Sequence, residues 1–408
     1  MPRPTRRPRI GRSPRLVIEA HAPHLVDHLS SSALAISTGG VTTPRIEGKI
    51  MINSRARMAA AVGAASVLLL AGCAGGGGVR KAADPGAAAS GTCQGASIKI
   101  AKASPSFVYL PFYVAEGAGY LEQEGLVPET VEVHTGSGII AAAVSGSVDV
   151  ALVTAGEVFV SRHEGAPVTA FAQVENLGTN VVIKKSIMDN LGLTESSSDA
   201  ERLAALKGLR IGVTGSGSGS DQVVRYLAKA GGLDPDKDME IIATGGSGNS
   251  VSGFSGDRFD AIAISSPQSD IAIQQGRGSY LFNLADGDYE PLANNLYITA
   301  MASDRTITQM PDALECFTAA LARAQKLIHE DPDTAAKLGQ PFIGDVDPAL
   351  YTAAFQSNIH SWPASPVIDE AAAAAALQFQ NDVMGNGLSE DLLDEAIDTD
   401  IATTATTQ

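Results

Sequence analysis

The chain has 408 residues, enough for two or three domains of ordinary size, and 44% of them are hydrophobic. The formal net charge is −16, and residues 1–72 hold ten of the 29 basic residues but only three of the 45 acidic ones. The rest of the chain is therefore strongly acidic. This excludes ordinary nucleic-acid binding, which needs a basic surface, and is usual for a secreted or surface-exposed protein.

Residues 1–50 are rich in Arg, Pro, Ser and Thr and show neither helical nor strand periodicity. This composition is typical of a disordered extension. A more coherent pattern begins at Met51, where we expect translation to start. A charged segment at 51–57 precedes an apolar run at 58–70 that is too short to span a membrane, so residues 51–72 are predicted to be a signal peptide.

The apolar run closes on Leu70-Ala71-Gly72-Cys73, which resembles the lipobox of bacterial lipoproteins. That resemblance implies cleavage before Cys73 and lipidation of its sulfur, and two or three acyl chains hold a protein stably at a membrane. The Gly- and Ala-rich residues 73–96 are predicted to be a flexible tether. We therefore expect a folded body that is lipid-anchored on the extracytoplasmic face of the cell membrane.

The folded body alternates strand and helix patterns. Its first half predicts strands at 97–102, 131–134, 148–153 and 168–174, with helices at 107–120, 136–144 and 157–164. Its second half predicts strands at 209–213, 240–244, 259–265 and 279–283. After residue 309 the pattern is helical. Such alternation predicts an α/β fold with largely parallel sheets covered by helices.

A glycine–serine loop, residues 214–220, joins the strand at 209–213 to a helix, and Gly136-Ser137-Gly138 holds the same place in the first half. Loops of this kind lie at helix N-termini, where free N–H groups and the helix dipole favour negatively charged ligands. A dinucleotide motif would need Gly where Ser220 stands, and a phosphate loop would need a Gly-Lys-Ser/Thr sequence that is absent. Two such half-chains predict two lobes facing a ligand cleft.

Five short motifs then occur in a fixed order. They are Pro-Phe-Tyr-Val-Ala at 111–115, Gly-Tyr-Leu-Glu-Gln-Glu-Gly at 119–125, Gly-Ser-Val-Asp-Val-Ala at 146–151, Leu-Lys-Gly-Leu-Arg-Ile-Gly-Val at 206–213 and Phe-Asp-Ala-Ile at 259–262. Over residues 97–385 the chain resembles the solute-binding proteins of the nitrate, sulfonate, taurine and thiamine-precursor group, the NMT1/THI5-like or SsuA-type family.

The resemblance implies a two-lobed periplasmic-binding-protein fold of type II, hinged by two crossovers near residues 180–185 and 296–301. Lobe 1 would comprise residues 97–180 and 297–400, and lobe 2 residues 181–296. Such a protein is expected to clamp a small molecule between its lobes and to deliver it, as a monomer and without cofactor or chemistry, to an ABC permease and its ATPase.

Candidate ligand-binding residues are those at strand ends and helix starts that would line the cleft. They are Ser104, Ser106, Phe107, Ser137, Gly138, Thr154, Ala155, Asn176, Thr214, Ser216, Gly217, Ser218 and Ser265. Phe107 fits the core equally well. Glu157 either meets a cationic group of the ligand or is a solvated acid at a helix start.

The ligand class stays open. Hydroxyl groups and helix N-termini favour a small organic anion such as a sulfonate, or nitrate, although no arginine stands at a strand end to pair with it. A heterocycle such as a thiamine-precursor pyrimidine is the alternative. An enzyme on the same fold, of the pyrimidine-synthesis type, and a surface adhesion module are further possibilities. The export signal and the lack of an acid–base pair at strand ends disfavour the enzyme.

The three cysteines form no Cys-x-x-Cys pair and the seven histidines are dispersed, so no metal site is expected from their spacing. With Cys73 acylated, Cys93 and Cys316 are the remaining pair. A disulfide between them is allowed in an exported protein. Two free thiols are the alternative, because sequence spacing does not show whether the two Cα atoms come within bonding reach.

Overall fold

The computed structural model describes residues 93–133, 135–385 and 387–407. The predicted extension, the signal peptide, Cys73 and the tether up to residue 92 lie outside the described residues. The strands of the described part are β1 (Ala96–Lys102), β2 (Leu126–Glu132), β3 (Val150–Thr154), β4 (Val168–Asn176), β5 (Thr179–Lys184), β6 (Arg210–Val213), β7 (Glu240–Ala243), β8 (Ala261–Ser265), β9 (Gly278–Phe282) and β10 (Leu296–Ser303).

These strands form two five-stranded mixed sheets with the same design. The first has the order β2-β1-β3-β10-β4 and the second the order β7-β6-β8-β5-β9. In the first sheet β1 runs parallel to β2 and β3, and β10 is antiparallel to β3 and β4. In the second sheet β6 runs parallel to β7 and β8, and β5 is antiparallel to β8 and β9. The predicted two-lobed α/β fold is thus confirmed.

Helices cover both sheets. They are α1 (Leu110–Gly117), α2 (Tyr120–Gln123), α3 (Gly136–Val144), α4 (Ala155–His163), α5 (Lys185–Leu191), α6 (Asp199–Ala204), α7 (Gly219–Ala230), α8 (Ser247–Ser255), α9 (Gln268–Gly276), α10 (Glu290–Ala293), α11 (Asp304–Gln309), α12 (Pro311–Glu330), α13 (Pro332–Gly339), α14 (Pro348–Asn358), α15 (Glu370–Met384), α16 (Asp391–Ala396) and α17 (Asp400–Thr407). Short 3₁₀ helices occupy Phe107–Tyr109, Leu284–Asp286, Gln340–Phe342 and Ile359–Ser361.

The hinge lies a few residues away from where the sequence places it. All but the last residue of the predicted crossover at 180–185 lie in β5, and the one at 296–301 falls inside β10. The chain instead crosses at Leu177 and Gly178, and again between residues 283 and 295. Both predicted segments are strands because each must pair with its own sheet immediately after crossing. The two lobes are therefore joined by one connection of two residues and by a longer one that contains a short 3₁₀ helix and α10.

Burial explains why the sequence alternates so clearly. The residues of β3 are apolar up to Thr154 and all four of them are buried, as expected for a strand with helices on both faces. The long helix α12 places Leu314, Phe317 and Leu321 on one buried face. Proline begins that helix, and Pro332 starts the next one just after Asp331. These features match the helical spacing predicted for the chain after residue 309.

The helix α15 packs against both lobes. Its first half contributes Ala372 and Leu377 to the core around β3 and α4. Its second half contributes Phe379 and Val383 to the core of the second sheet, and the ring of Phe379 lies 5.1 Å from that of Tyr226. The end of α15, which the sequence assigns to lobe 1, therefore belongs to the packing of lobe 2.

Cys93 and Cys316 are joined in a disulfide, so the bonded pair is the one of the two alternatives that the structure shows. The bond ties the first described residue to α12, so it fixes the start of the folded body to lobe 1. Among the described residues, no helix is both long and apolar enough to cross a membrane.

Candidate ligand-binding cleft

Polar residues at strand ends of the two sheets meet where the lobes approach each other. The backbone N–H of Phe107 donates to the carbonyl oxygen of Ser266 at 3.0 Å, and Ser106 Oγ lies 3.4 Å from the same oxygen. Asn358 Nδ2 donates to Ser266 Oγ at 3.0 Å. Residues 106 and 107 follow β1 and Ser266 follows β8. We call the region between these two sheet edges, down to the hinge strands, the cleft.

The second-lobe wall is the glycine–serine loop, and its polar groups bond to one another. The hydroxyl of Thr214 lies 3.0 Å from Ser218 Oγ, which caps α7 by accepting from the backbone N–H of Asp221. The backbone N–H of Thr214 donates to Ser220 Oγ at 2.9 Å. The backbone N–H of Gly217 donates to the Asp221 carboxylate at 2.9 Å. Two of the amides near this helix start, those of Gly217 and Asp221, therefore already have acceptors within the protein.

The first-lobe wall consists of the starts of α3 and α4. Thr135 caps α3 through the backbone N–H of Gly138 at 3.2 Å. The Glu157 carboxylate lies so close over Gly136 that a methyl group on that glycine would collide with it. The start of α3 is thus covered by a carboxylate of the protein itself. A negative group is what the dipole at a helix N-terminus favours.

Glu157 is held by a reciprocal cap with Thr154. Its Oε2 accepts from the Thr154 backbone N–H at 3.1 Å and from the Thr154 hydroxyl at 2.9 Å, while its own N–H donates back to Thr154 Oγ1. Burial raises the pKa of Glu157, and the two hydrogen bonds from Thr154 only partly oppose that rise. Glu157 is therefore a half-buried acid of the cleft rather than a fully solvated one.

Glu175 lies at the floor of the cleft, at the end of β4. It is 1% exposed, and neither carboxyl oxygen has a hydrogen-bond partner among the described residues. Burial raises its pKa well above the ordinary range. The nearby Ser361 hydroxyl opposes this rise by favouring the ionised form of Glu175. In the structure, however, that hydroxyl donates its hydrogen to the Asn358 carbonyl oxygen. A methyl group on Gly178 would lie 2.5 Å from Glu175 Oε1, so this hinge glycine leaves room for the carboxyl group.

Two tyrosines stand near both acids. The pKa values of Tyr109 and Tyr297 are raised, first by burial and then by the charges of Glu157 and Glu175. The Tyr297 hydroxyl accepts from Thr179 Oγ1 at 3.1 Å and lies directly against Gly219 at the start of α7. Lobe 1, lobe 2 and the hinge therefore all contribute to one group of carboxyl and hydroxyl oxygens.

The structure brings together some of the predicted residues. Ser106, Thr154, Ser265 and the loop from Thr214 to Ser218 lie at the two facing edges, and Ser265 Oγ is 3.3 Å from Thr179 Oγ1. Ser216 and Gly217 are exposed at the tip of the loop, and Ser137 is exposed in the first turn of α3. Gly138 donates to its own helix cap, and Asn176 Oδ1 accepts from Gln173 at 2.7 Å.

Three predicted residues are placed elsewhere. Phe107 is fully buried and packs edge-on against Tyr351 and Trp362, so its side chain belongs to the core. Ala155 is 1% exposed and packs in the core of lobe 1. Ser104 is exposed and its hydroxyl donates to Glu132 at the end of β2. Apolar side chains at strand ends pack inward because the helix after each strand turns back over its sheet.

Sequence reasoning missed Tyr109, Glu175, Thr179 and Tyr297. Glu175 carries a signal, because it is a single acid at the end of an otherwise buried strand. Thr179 and Tyr297 lie in β5 and β10, the two strands that overlap the predicted crossovers. Their meeting depends on how β5 and β10 return from the hinge, which no local pattern reveals.

One cavity lies outside the cleft. A cavity of about 610 Å³ lies beside β7 and α8 and is lined by Thr244, Asn249, Arg258 and Phe259 among others. It opens beside the edge strand of lobe 2, and none of the cleft residues lines it. No group of three or more His, Cys, Asp or Glu residues in the described part of the chain could hold a metal ion.

Two α/β lobes, joined by strands and facing each other across a polar cleft, define a protein of the periplasmic-binding-protein fold. The family model described as "NMT1/THI5 like" matches residues 106–335, more than half of the chain. The chain therefore belongs to the NMT1/THI5-like family.

Known proteins agree with this assignment. A Bacillus subtilis (strain 168) protein with the provisional name binding protein YtlA is 23% identical over 279 residues, covering 67% of this chain and 79% of that protein. A Bordetella bronchiseptica RB50 structure has a TM-score of 0.65 at 24% identity and covers 76% of this chain and 97% of its own. A zinc-bound ligand-binding component of an ABC-type import system from Staphylococcus aureus has a TM-score of 0.61 at 12% identity. The match covers 77% of this chain and 100% of that one.

Proposed function

We propose that this protein is an extracytoplasmic receptor that captures a small solute between its lobes and delivers it to an ABC import permease. The observation that carries the proposal is the cleft, where polar groups from both sheets and from the hinge face one another. Family membership and the fold shared with an ABC import component support it. The mechanism needs no covalent chemistry, because closure around a solute is itself the signal that a permease can read.

We expect the lobes to move about the two connections that join them. Leu177 and Gly178 form one connection, and the bonds from residues 106 and 107 to Ser266 are contacts that opening would break. Trp362 Nε1 donates to the Phe107 carbonyl oxygen at 3.1 Å. It is the only tryptophan of the chain, and the N–H of its partner Phe107 makes the inter-lobe bond to Ser266, so the fluorescence of Trp362 should report on opening there.

We further propose that Cys73 carries the lipid anchor, which would hold the receptor beside its permease. The support is the sequence Leu70-Ala71-Gly72-Cys73 after a charged and then an apolar segment. Cells grown with a radiolabelled fatty acid should label the wild-type protein but not Cys73→Ala. Equal labelling of Cys93→Ser and wild type would show that the label belongs to Cys73, whereas an unlabelled wild type would contradict the anchor.

A solute screen tests the receptor function. The purified protein would be melted in the presence of organic cations, sulfonates, nitrate and aminopyrimidines, with the fluorescence of Trp362 recorded in parallel. A ligand at a hundred times its dissociation constant should add about 2.7 kcal/mol to the free energy of unfolding. The proposal fails if no solute in a broad panel moves either signal. Turnover of a bound solute would favour the enzyme instead.

A further inference from the structure

We propose that the solute is a small organic cation bearing N–H donors, such as a protonated amine or an amidinium, and that Glu175 and Glu157 are its counter-charges. This inference rests on the proposed receptor function, because it concerns the same cleft. It differs from the small anion that the loops of the sequence predict, and three observations carry it.

The first observation is a set of buried acceptors without donors. Both oxygens of Glu175 lack a hydrogen-bond partner in the described structure although the residue is 1% exposed. Gln380 is equally buried, and its Oε1 is also unpartnered and points at Gly156 in the first turn of α4. Buried acceptors left unsatisfied are costly. A ligand that brings N–H donors into the cleft would satisfy them.

The second observation is that a carboxylate of the protein already lies at each helix start. The amide of Gly217, just before α7, donates to the Asp221 carboxylate, and the α3 start lies under the Glu157 carboxylate. A sulfonate at either helix start would lie beside a carboxylate of the protein. It would also meet the charge of Glu175 and Glu157 without a compensating cation.

The third observation is the absence of basic partners for these two acids. None of the ion pairs formed by the described residues includes Glu157 or Glu175. No lysine or arginine contributes to the shift in either pKa. Buried carboxylates in proteins are normally paired, so a charge from outside the protein is the missing partner. The rings of Tyr109 and Tyr297 nearby suit a cation as well.

A consequence for protons follows. Because burial raises the pKa of Glu175 and of Glu157, an arriving cation would favour the ionised form and lower both pKa values again. Binding should therefore release protons, and affinity should rise with pH across the range where the free protein still holds them. An anion would show the opposite dependence.

The test is a binding comparison on the whole protein. Calorimetry would measure alkylamines and amidines, methanesulfonate and nitrate, and a neutral aminopyrimidine, each in two buffers of different ionisation enthalpy at several pH values. We expect a cation to bind with proton release and rising affinity toward high pH. Binding of only the anions or only the neutral heterocycle would overturn the inference while leaving the receptor function intact. Binding of nothing would count against both.

Variants locate the effect. Glu175→Gln should weaken cation binding on the order of 100-fold, since truncating one side of a buried charge pair costs that much, and should reduce the proton release to the part contributed by Glu157. Glu164→Gln is the matched control, because that glutamate is exposed at the end of α4. A melting curve checks that Glu175→Gln folds. Unchanged affinity in a folded Glu175→Gln protein would refute the assignment, and the pH dependence of the wild type tests it independently of any variant.

Discussion

The two walls of the cleft start their helices with similar glycine–serine sequences but carry different chemistry. In lobe 2 the hydroxyl groups of the loop satisfy one another and the backbone, and Asp221 completes the cap of α7. In lobe 1 the carboxylate of Glu157 covers the start of α3, and Glu175 lies below it at the hinge. The two acids without a basic partner in the described structure thus belong to lobe 1 and the hinge, whereas the polar groups of the lobe 2 loop bond to one another.

This difference shows that glycine and serine at a helix start do not by themselves make an anion site. What matters is whether the first backbone N–H groups are still free once the loop has folded. Here one amide of each first turn is capped by the protein, that of Gly138 by Thr135 and that of Asp221 by Ser218. The chemistry of the cleft is therefore set by Glu157 and Glu175, and lobe 2 contributes mainly shape and closure.

The largest expected effect comes from loosening lobe 1 alone. Cys316→Ser removes the disulfide to Cys93, which spans 223 residues, and should lower the free energy of unfolding by about 2–4 kcal/mol. Denaturant unfolding measures this loss. Hydrogen exchange should increase in α12 and leave α7 unchanged. Dithiothreitol should destabilise the wild type but not the variant, and equal stability of the two oxidised proteins would contradict the expectation.

The next effect is a difference in stability between alanine substitutions at two glycines of the lobe 2 loop. Gly219→Ala places a methyl group against the Tyr297 hydroxyl, so it should cost about 1–3 kcal/mol of stability by overpacking. It should also weaken the binding of any solute that needs the observed contact between α7 and Tyr297. Gly215→Ala is the control, since its methyl group would meet only Ser218 Cβ, at 3.9 Å. Thermal melts that fail to distinguish the two variants would place Tyr297 away from α7.

The charge at the hinge should make stability depend on pH. Burial raises the pKa of Glu175 above its ordinary value of about 4.3, so the folded state holds the proton more tightly than the unfolded state. Stability should therefore fall as pH rises from about 4.3 through the folded-state pKa. Glu175→Gln should raise stability by about 1–3 kcal/mol at pH 8 and converge on the wild type near pH 4. Parallel pH profiles of the two proteins would argue against a raised pKa.

The smallest effect compares the two helix caps directly. Ser218→Ala removes the cap of α7 and should cost about 1 kcal/mol. Ser137→Ala should change little, because Thr135 rather than Ser137 caps α3. Urea denaturation of both variants resolves the difference. A larger loss for Ser137→Ala would reverse the roles assigned to the two residues.

Much of the fold was predictable from local pattern. Alternating apolar strands and helices indicated an α/β protein, and the strand ends at Thr154 and Ser265 were predicted at the observed residues. The disulfide was predicted only as one of two alternatives. The strands β5 and β10 were missed as strands because their residues were assigned to the crossovers. That error hid Thr179 and Tyr297 from the list of candidate residues.

The candidate site was less predictable than the fold. Ser106 and Ser265 lie at the facing edges and their role in binding stays a prediction, whereas Phe107 and Ala155 are core residues. An alternating pattern tells which residues lie at the end of a strand. It does not tell which side chain points into the cleft, since that depends on the angle at which the next helix packs.

The sequence by itself determined the order of strands and helices, the doubling of the α/β pattern and the resemblance to a family, because these depend on periodicity and on short motifs. Only the tertiary structure decided the chemistry of the cleft. Glu157 and Glu175 are ordinary acids 18 positions apart in the chain. Folding brings them near Tyr109 and Tyr297. The loss of water around their carboxyl groups raises the pKa of both acids, which no local sequence pattern indicates.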